Sequence, residues 1–225
     1  MNCNNKDTTD ITIILDRSGS MECIKDYVVE GFNSFIASQR ELPGTCRVSL
    51  MQFDDKLEEM YTDRPLDGVP LLNLQPRGFT RLFDAIGTTI KKTKERISNA
   101  CKCCKPSRVI IVCCTDGAEN ASKEYNRQQI MDMIIQQRDE NLWTFIFIGC
   151  NMDGIKDAQS SGFQAKACVS YDPTYISVKK TFQDLSGSIC GLRSMSAAQY
   201  AHNVATGDVW SGSKDDVNKN PSTGA

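Results

Sequence analysis

The chain has one histidine, His202, in 225 residues. With a single histidine there is no multi-histidine metal site and no basis for a catalytic triad, and His202 reads as a surface residue. No apolar run approaches the ~20 residues that a membrane span requires. The longest, 143–150, has the length of a buried strand. Excess charge is also missing. The formal net charge is -2, and the lysine pairs Lys91-Lys92 and Lys179-Lys180 fall inside helical patterns, where they read as solvated faces. Nothing points to nucleic acid. The first ten residues lack the basic start and apolar stretch of a secretory signal. The expectation is a soluble, cytoplasmic protein with no membrane partner.

Cysteine is abundant instead, with 11 residues. Without a secretory signal, reduced thiols are expected. Several cysteines fall in apolar runs, such as Cys113, Cys114, Cys150 and Cys168, where a thiol packs as a small hydrophobe. Cys101-Lys102-Cys103-Cys104 raises the question of zinc. No second cysteine pair follows at a usual spacing and His202 lies far along the chain, so a helix end with exposed thiols, open to oxidation or intermolecular coupling, is the reading.

Hydrophobic residues make up 40% of the chain, enough for one α/β domain with a proper core. Residues 10–16 form a buried strand followed at once by a Ser/Gly turn. Ile24, Val28, Phe32, Phe35 and Ile36 mark one face of a helix that Pro43-Gly44 ends. Residues 47–53 and 56–62 are strands joined by a connection so short that it permits only an antiparallel hairpin. Leu82, Ile86, Ile90 and Ile97 mark another helix, 108–114 is the most apolar strand, and 126–138 is a helix. A strand at 143–150, a short helix near 154–160, a weak strand at 165–171 and a last helix through Val178, Phe182, Leu185, Ile189 and Leu192 complete the pattern. Strand-helix alternation of this kind predicts an α/β, Rossmann-like three-layer fold, with a mostly parallel six-stranded sheet, one antiparallel edge strand and helices on both faces. Residues 1–9 read as a polar segment, 10–195 as the domain and 196–225 as a C-terminal extension. Within the extension, 203–225 reads as a flexible tail in which Trp210 either anchors a partner or is idle.

In open parallel sheets ligands bind past the carboxyl ends of the strands. Asp16-Arg17-Ser18-Gly19-Ser20 follows the first strand, Gly78-Phe79-Thr80 precedes a helix, and Thr115-Asp116-Gly117 follows the most apolar strand. The topology brings these three oxygen-bearing turns to one rim. A small hard cation such as Mg²⁺ takes about six oxygen ligands. Ser18, Ser20 and Thr80 offer neutral hydroxyls, and Asp16 and Asp116 offer carboxylates that balance a divalent charge. Gly19 and Gly117 would let the backbone turn tightly beside the ion. The bland counterpart is that Ser18, Ser20 and Thr80 cap helices and Asp116 sits in a turn.

The set Asp16-x-Ser18-x-Ser20, Thr80 and Asp116-Gly117, in this order, resembles the metal-ion-dependent adhesion site of von Willebrand factor A domains. The flanks 16–21, 80–86 and 115–120 are more similar to bacterial and phage members than to integrin ones. The resemblance covers roughly 10–195. It implies that Asp16, Ser18, Ser20, Thr80 and Asp116 hold Mg²⁺ or Mn²⁺; Asp84 and Glu119 sit near the same rim and are candidates to support the ligands from behind. It also implies a protein partner that presents Asp or Glu to the metal, and no enzymatic activity. Relatives often carry two glycines before the threonine; here Phe79 takes the second place. Two alternatives stand beside this reading. One is a scaffold whose metal is only structural. The other is a phosphatase of the haloacid dehalogenase class, which needs a second acid two residues past the first and finds Ser18 there instead.

Overall fold

A computed structural model describes residues 8–150 and 152–210. Six strands, β1 (Thr8–Asp16), β2 (Thr45–Phe53), β3 (Leu57–Pro65), β4 (Arg108–Thr115), β5 (Thr144–Cys150) and β6 (Cys168–Tyr171), form one sheet in the order β3-β2-β1-β4-β5-β6. The β2-β3 pair is antiparallel and every other pair is parallel. The expected architecture is therefore the observed one.

Among the described residues six α-helices cover the sheet: α1 (Lys25–Arg40), α2 (Leu82–Asn99), α3 (Arg127–Asn141), α4 (Met152–Ser160), α5 (Tyr175–Ser194) and α6 (Ala197–Thr206). Strand residues point alternately to opposite faces, so β1 feeds two cores. Ile11, Ile13 and Leu15 pack with α1, α5 and α6, whereas Ile14 packs with α2, α3 and α4. All nine residues of β1 and all eight of β4 are buried. These two strands sit at the middle of the sheet, as their continuous apolar runs require. No helix among the described residues is long and apolar enough to cross a membrane.

The end of the chain departs from its sequence reading. Part of 196–225, read as an extension, is the helix α6. Ser196 caps it by accepting from the Gln199 amide, the Gln199 side chain accepts from the Ser196 amide, and Gly207 closes it in the left-handed region at φ 67°. Tyr200, Val204 and Val209 are buried and Trp210 packs against the same core, so Trp210 is not free in a tail. His202 is exposed on α6, as expected. The remainder of the tail, 211–225, and residues 1–7 lie outside the described residues. Thr8 and Thr9, placed before the domain by sequence, begin β1.

The thiols depart from expectation once. Cys101 and Cys104 are joined as a disulfide. A 3-10 turn over Lys102–Cys104 sets their Cα atoms 5.2 Å apart, within the range a disulfide spans.

Candidate metal centre at the carboxyl rim of the sheet

β1 and β4 run side by side and in parallel, so Asp16 and Asp116 leave the sheet at the same edge. Asp16 is fully buried. One of its oxygens accepts from the Ser18 amide at 2.6 Å and the other from the Thr115 hydroxyl at 2.5 Å. This fold-back of the turn points the Ser18 and Ser20 hydroxyls at each other, 3.1 Å apart. Ser20 in turn donates to Asp116 Oδ1 at 2.7 Å. Thr80 arrives from the loop before α2. A Cβ on Gly117 would lie 3.3 Å from Thr80 Oγ1 and 3.7 Å from Ser20 Oγ, so the backbone at Gly117 closely approaches both hydroxyls. Asp16, Ser18, Ser20, Thr80 and Asp116 thus converge on one place.

Burial pushes the Asp16 carboxyl up to about 6, against the pull of its Thr115 and Ser18 hydrogen bonds, and the like charge of Asp116 adds to the rise. Asp116 is raised by burial too. Among the described residues no lysine or arginine pairs with either carboxylate. Two carboxyls raised by burial, beside three neutral hydroxyls and without a cationic side chain, form an oxygen-only donor set that fits a hard divalent ion. Helix capping does not explain the hydroxyls. Ser18 makes no side-chain cap bond at the 3-10 turn that follows it. The residues that begin α1 and α2, Ile24 and Arg81, make none either.

The loop that carries Thr80 is held by its neighbours. Arg77 donates its amide to the Arg17 carbonyl, and Gly19 donates to the Gly78 carbonyl. Gly78 is the glycine this loop needs. It sits at φ 68°, and a Cβ there would come within 2.2 Å of Asp55 Oδ2. Phe79, in the place where relatives often have a second glycine, takes an ordinary negative φ and turns its ring to solvent, 67% exposed. The expected tight turns at Gly19 and Gly117 are not left-handed. Gly117 matters for close approach, and a Cβ on Gly19 would make only ordinary contact.

Asp84 and Glu119 are placed differently from expectation. Asp84 is fully buried and accepts from the Lys123, Glu124 and Tyr125 amides and from Arg81. Burial alone would raise its carboxyl, yet these bonds hold it below the usual range. Glu119 accepts from the Ala121 and Ser122 amides and from the Phe83 amide in the first turn of α2. Both acids tie the loop after β4 to the start of α2, rather than bonding to the five converging residues. Through Asn120, whose side chain accepts from the Thr80 amide and whose own amide donates to the Thr80 carbonyl, that loop also fixes the threonine.

A cluster beneath the site was not singled out from the sequence. Arg17, 5% exposed, donates to Asp54 at 2.7 Å and to Glu58 at 2.9 Å. Arg77 bonds the same two acids, each at 2.8 Å. The four charges join the turn after β1, the β2-β3 hairpin and the Thr80 loop. Hydrogen bonding to Arg17 holds Glu58 down at about 2. Burial works to raise Asp54, but the two guanidiniums and the Lys56 amide keep it low. The signal was available: Asp54 also sits just past the carboxyl end of a strand, where ligands and their supports gather.

No family model matches the sequence, and no curated protein matches it. Solved structures match the fold. Proximal thread matrix protein 1 from the mussel byssus superposes with a TM-score of 0.59 at 13% identity, over 81% of this chain and 46% of that one. A von Willebrand factor type A protein from Catenulispora acidiphila gives 0.56 at 15% identity, over 82% and 43%. The manganese-loaded TRAP protein of Plasmodium vivax gives 0.50 at 16% identity, over 78% and 73%. The chain spans less than half the length of the first two. A further structure of the mussel protein has zinc in its MIDAS motif.

Proposed function

We propose that this chain, which has the von Willebrand factor A fold, is a metal-dependent protein-interaction module and not an enzyme. The observation that carries the reading is the convergence of Asp16, Ser18, Ser20, Thr80 and Asp116 at the carboxyl ends of β1 and β4. The hydroxyls of Ser18, Ser20 and Thr80 would hold the ion. Asp16 and Asp116 would bind it directly or through water. Two carboxylates neutralise a divalent cation without exceeding its charge, so an acidic group of a partner can complete the shell. Mg²⁺ or Mn²⁺ suits this donor set. Metal in the mussel and Plasmodium proteins of the same fold supports the reading. So does Ser18, which stands where a phosphatase of similar topology would need its second acid.

Calorimetry with Mg²⁺ and Mn²⁺ tests it, on the wild type and Asp16→Ala, with and without a glutamate-bearing peptide. The expected result is one saturable ion per chain in the wild type, lost in the variant, with peptide binding that a chelator reverses. Metal binding that ignores carboxylates would leave the scaffold reading. No binding of either ion with peptide present would overturn the site.

A further inference from the structure

Among the described residues, the cysteines of the loop between α2 and β4 form the one group of three close sulfurs. Cys46, Cys113 and Cys114 are buried, as thiols that serve as small hydrophobes should be. Cys101, Cys103 and Cys104 are all exposed, so packing does not account for them. The 3-10 turn, closed by the Cys104 amide on the Cys101 carbonyl at 2.8 Å, gathers their sulfurs on one side. The three sulfur atoms lie within 4.8 Å of one another. Cys103 Sγ is 3.2 Å from that of Cys101 and 3.9 Å from that of Cys104. Metal–sulfur bonds of about 2.3 Å in a trigonal plane hold neighbouring sulfurs about 4 Å apart, so once the Cys101–Cys104 bond is open small side-chain rotations suffice to enclose one ion.

We propose that Cys101, Cys103 and Cys104, in reduced form, are a second metal site, three-coordinate and selective for a soft cation of the copper(I) class. Thiolates favour soft ions, whereas the oxygen-only rim favours hard ones. Zinc prefers a fourth ligand, and the turn gathers three thiolates. The site sits beside the amino end of β4, where Ser107 bonds to Thr8 at the start of β1. The hard site is at the other end of β1, roughly 25 Å away by strand rise. The two are independent, and this proposal does not rest on the first. In the structure Cys101 and Cys104 are joined. A dithiol reductant opens that bond by supplying two electrons and two protons and is itself oxidised to a disulfide. Each thiol then releases its proton as it binds the ion.

The test titrates the full chain, reduced and under anaerobic conditions, against the coloured copper(I)–bicinchoninate complex and follows loss of colour. One copper should transfer per chain. Cys101→Ser/Cys103→Ser/Cys104→Ser should lose that equivalent while its circular dichroism is unchanged. Cys103→Ser alone should weaken binding on the order of tenfold or more, since even outer contacts of metal sites cost that much. Asp16→Ala should bind copper like the wild type, and equimolar Zn²⁺ should not displace it. Transfer that persists in the triple variant, half an ion per chain, undiminished binding by Cys103→Ser, or displacement by zinc would each overturn the assignment.

Discussion

At the scale of single residues, the rim depends on a few atoms whose neighbours leave them little freedom. Gly78 combines a left-handed backbone with a Cβ position already filled by Asp55. Gly78→Ala should lower stability by about 1–2 kcal/mol in urea denaturation and weaken Mg²⁺ binding by displacing Thr80. Phe79→Ala, whose ring is mostly in solvent, should stay within about 0.5 kcal/mol of wild type. Glu58 gives a pH dependence with a defined sign. Its folded value, about 2, lies below the ordinary 4.5. Its contribution is therefore present above about pH 4.5 and is lost as pH falls through about 2. Glu58→Gln should flatten the acid limb of a stability-against-pH curve over that window, and an unchanged limb would refute the Arg17–Glu58 link. The five converging residues were readable from sequence because each occupies a turn just past a strand or before a helix. The roles of Asp84 and Glu119 were not, because a carboxylate's partners are backbone amides that composition does not reveal.

At the scale of elements, the helix most easily missed is α6. Its alanines and its place after a long helix give a weak apolar pattern, in which only Tyr200 and Val204 are large apolar side chains at helical spacing. Ser196-Ala-Ala-Gln199 is nevertheless a capping-box signature that marks a helix start. Tyr200 anchors the element. Its hydroxyl accepts from Thr144 at 3.0 Å and donates to the Val109 carbonyl at 3.1 Å, and the Arg108 guanidinium lies over its ring. Tyr200→Ala should cost about 3–5 kcal/mol, as truncation of a buried aromatic does. Tyr200→Phe should cost about 1–3 kcal/mol because it leaves the Val109 carbonyl and Thr144 without that partner. Equilibrium denaturation distinguishes them, and a neutral Tyr200→Ala would show that α6 does not contribute to the core. The strands needed no such rescue, since β1, β4 and β5 are apolar enough to be seen unaided.

At the scale of the whole molecule, strand order creates the site. Chain direction reverses its lateral progress between β1 and β4, and the crevice at their carboxyl ends receives the turn from each and the Thr80 loop between them. If the rim binds its ion, metal at a hundred times its dissociation constant should stabilise the fold by about 2.7 kcal/mol. A thermal shift with Mg²⁺ that vanishes in Asp16→Ala would show this, and equal shifts in both would place the ion elsewhere. The alternation of apolar runs determined the fold class and the order of elements as far as α5, and the turns just past the strands marked five candidate oxygen donors, because burial and turn chemistry are local and leave a trace along the chain. Tertiary structure alone decided three things. It joined Arg17, Arg77, Asp54 and Glu58 beneath the rim, turned Asp84 and Glu119 toward a loop instead of toward the five converging residues, and gathered Cys101, Cys103 and Cys104 on one side of a turn. Each depends on where side chains from separate segments, or successive residues of one tight turn, end up in space, and spacing along the chain does not encode that direction.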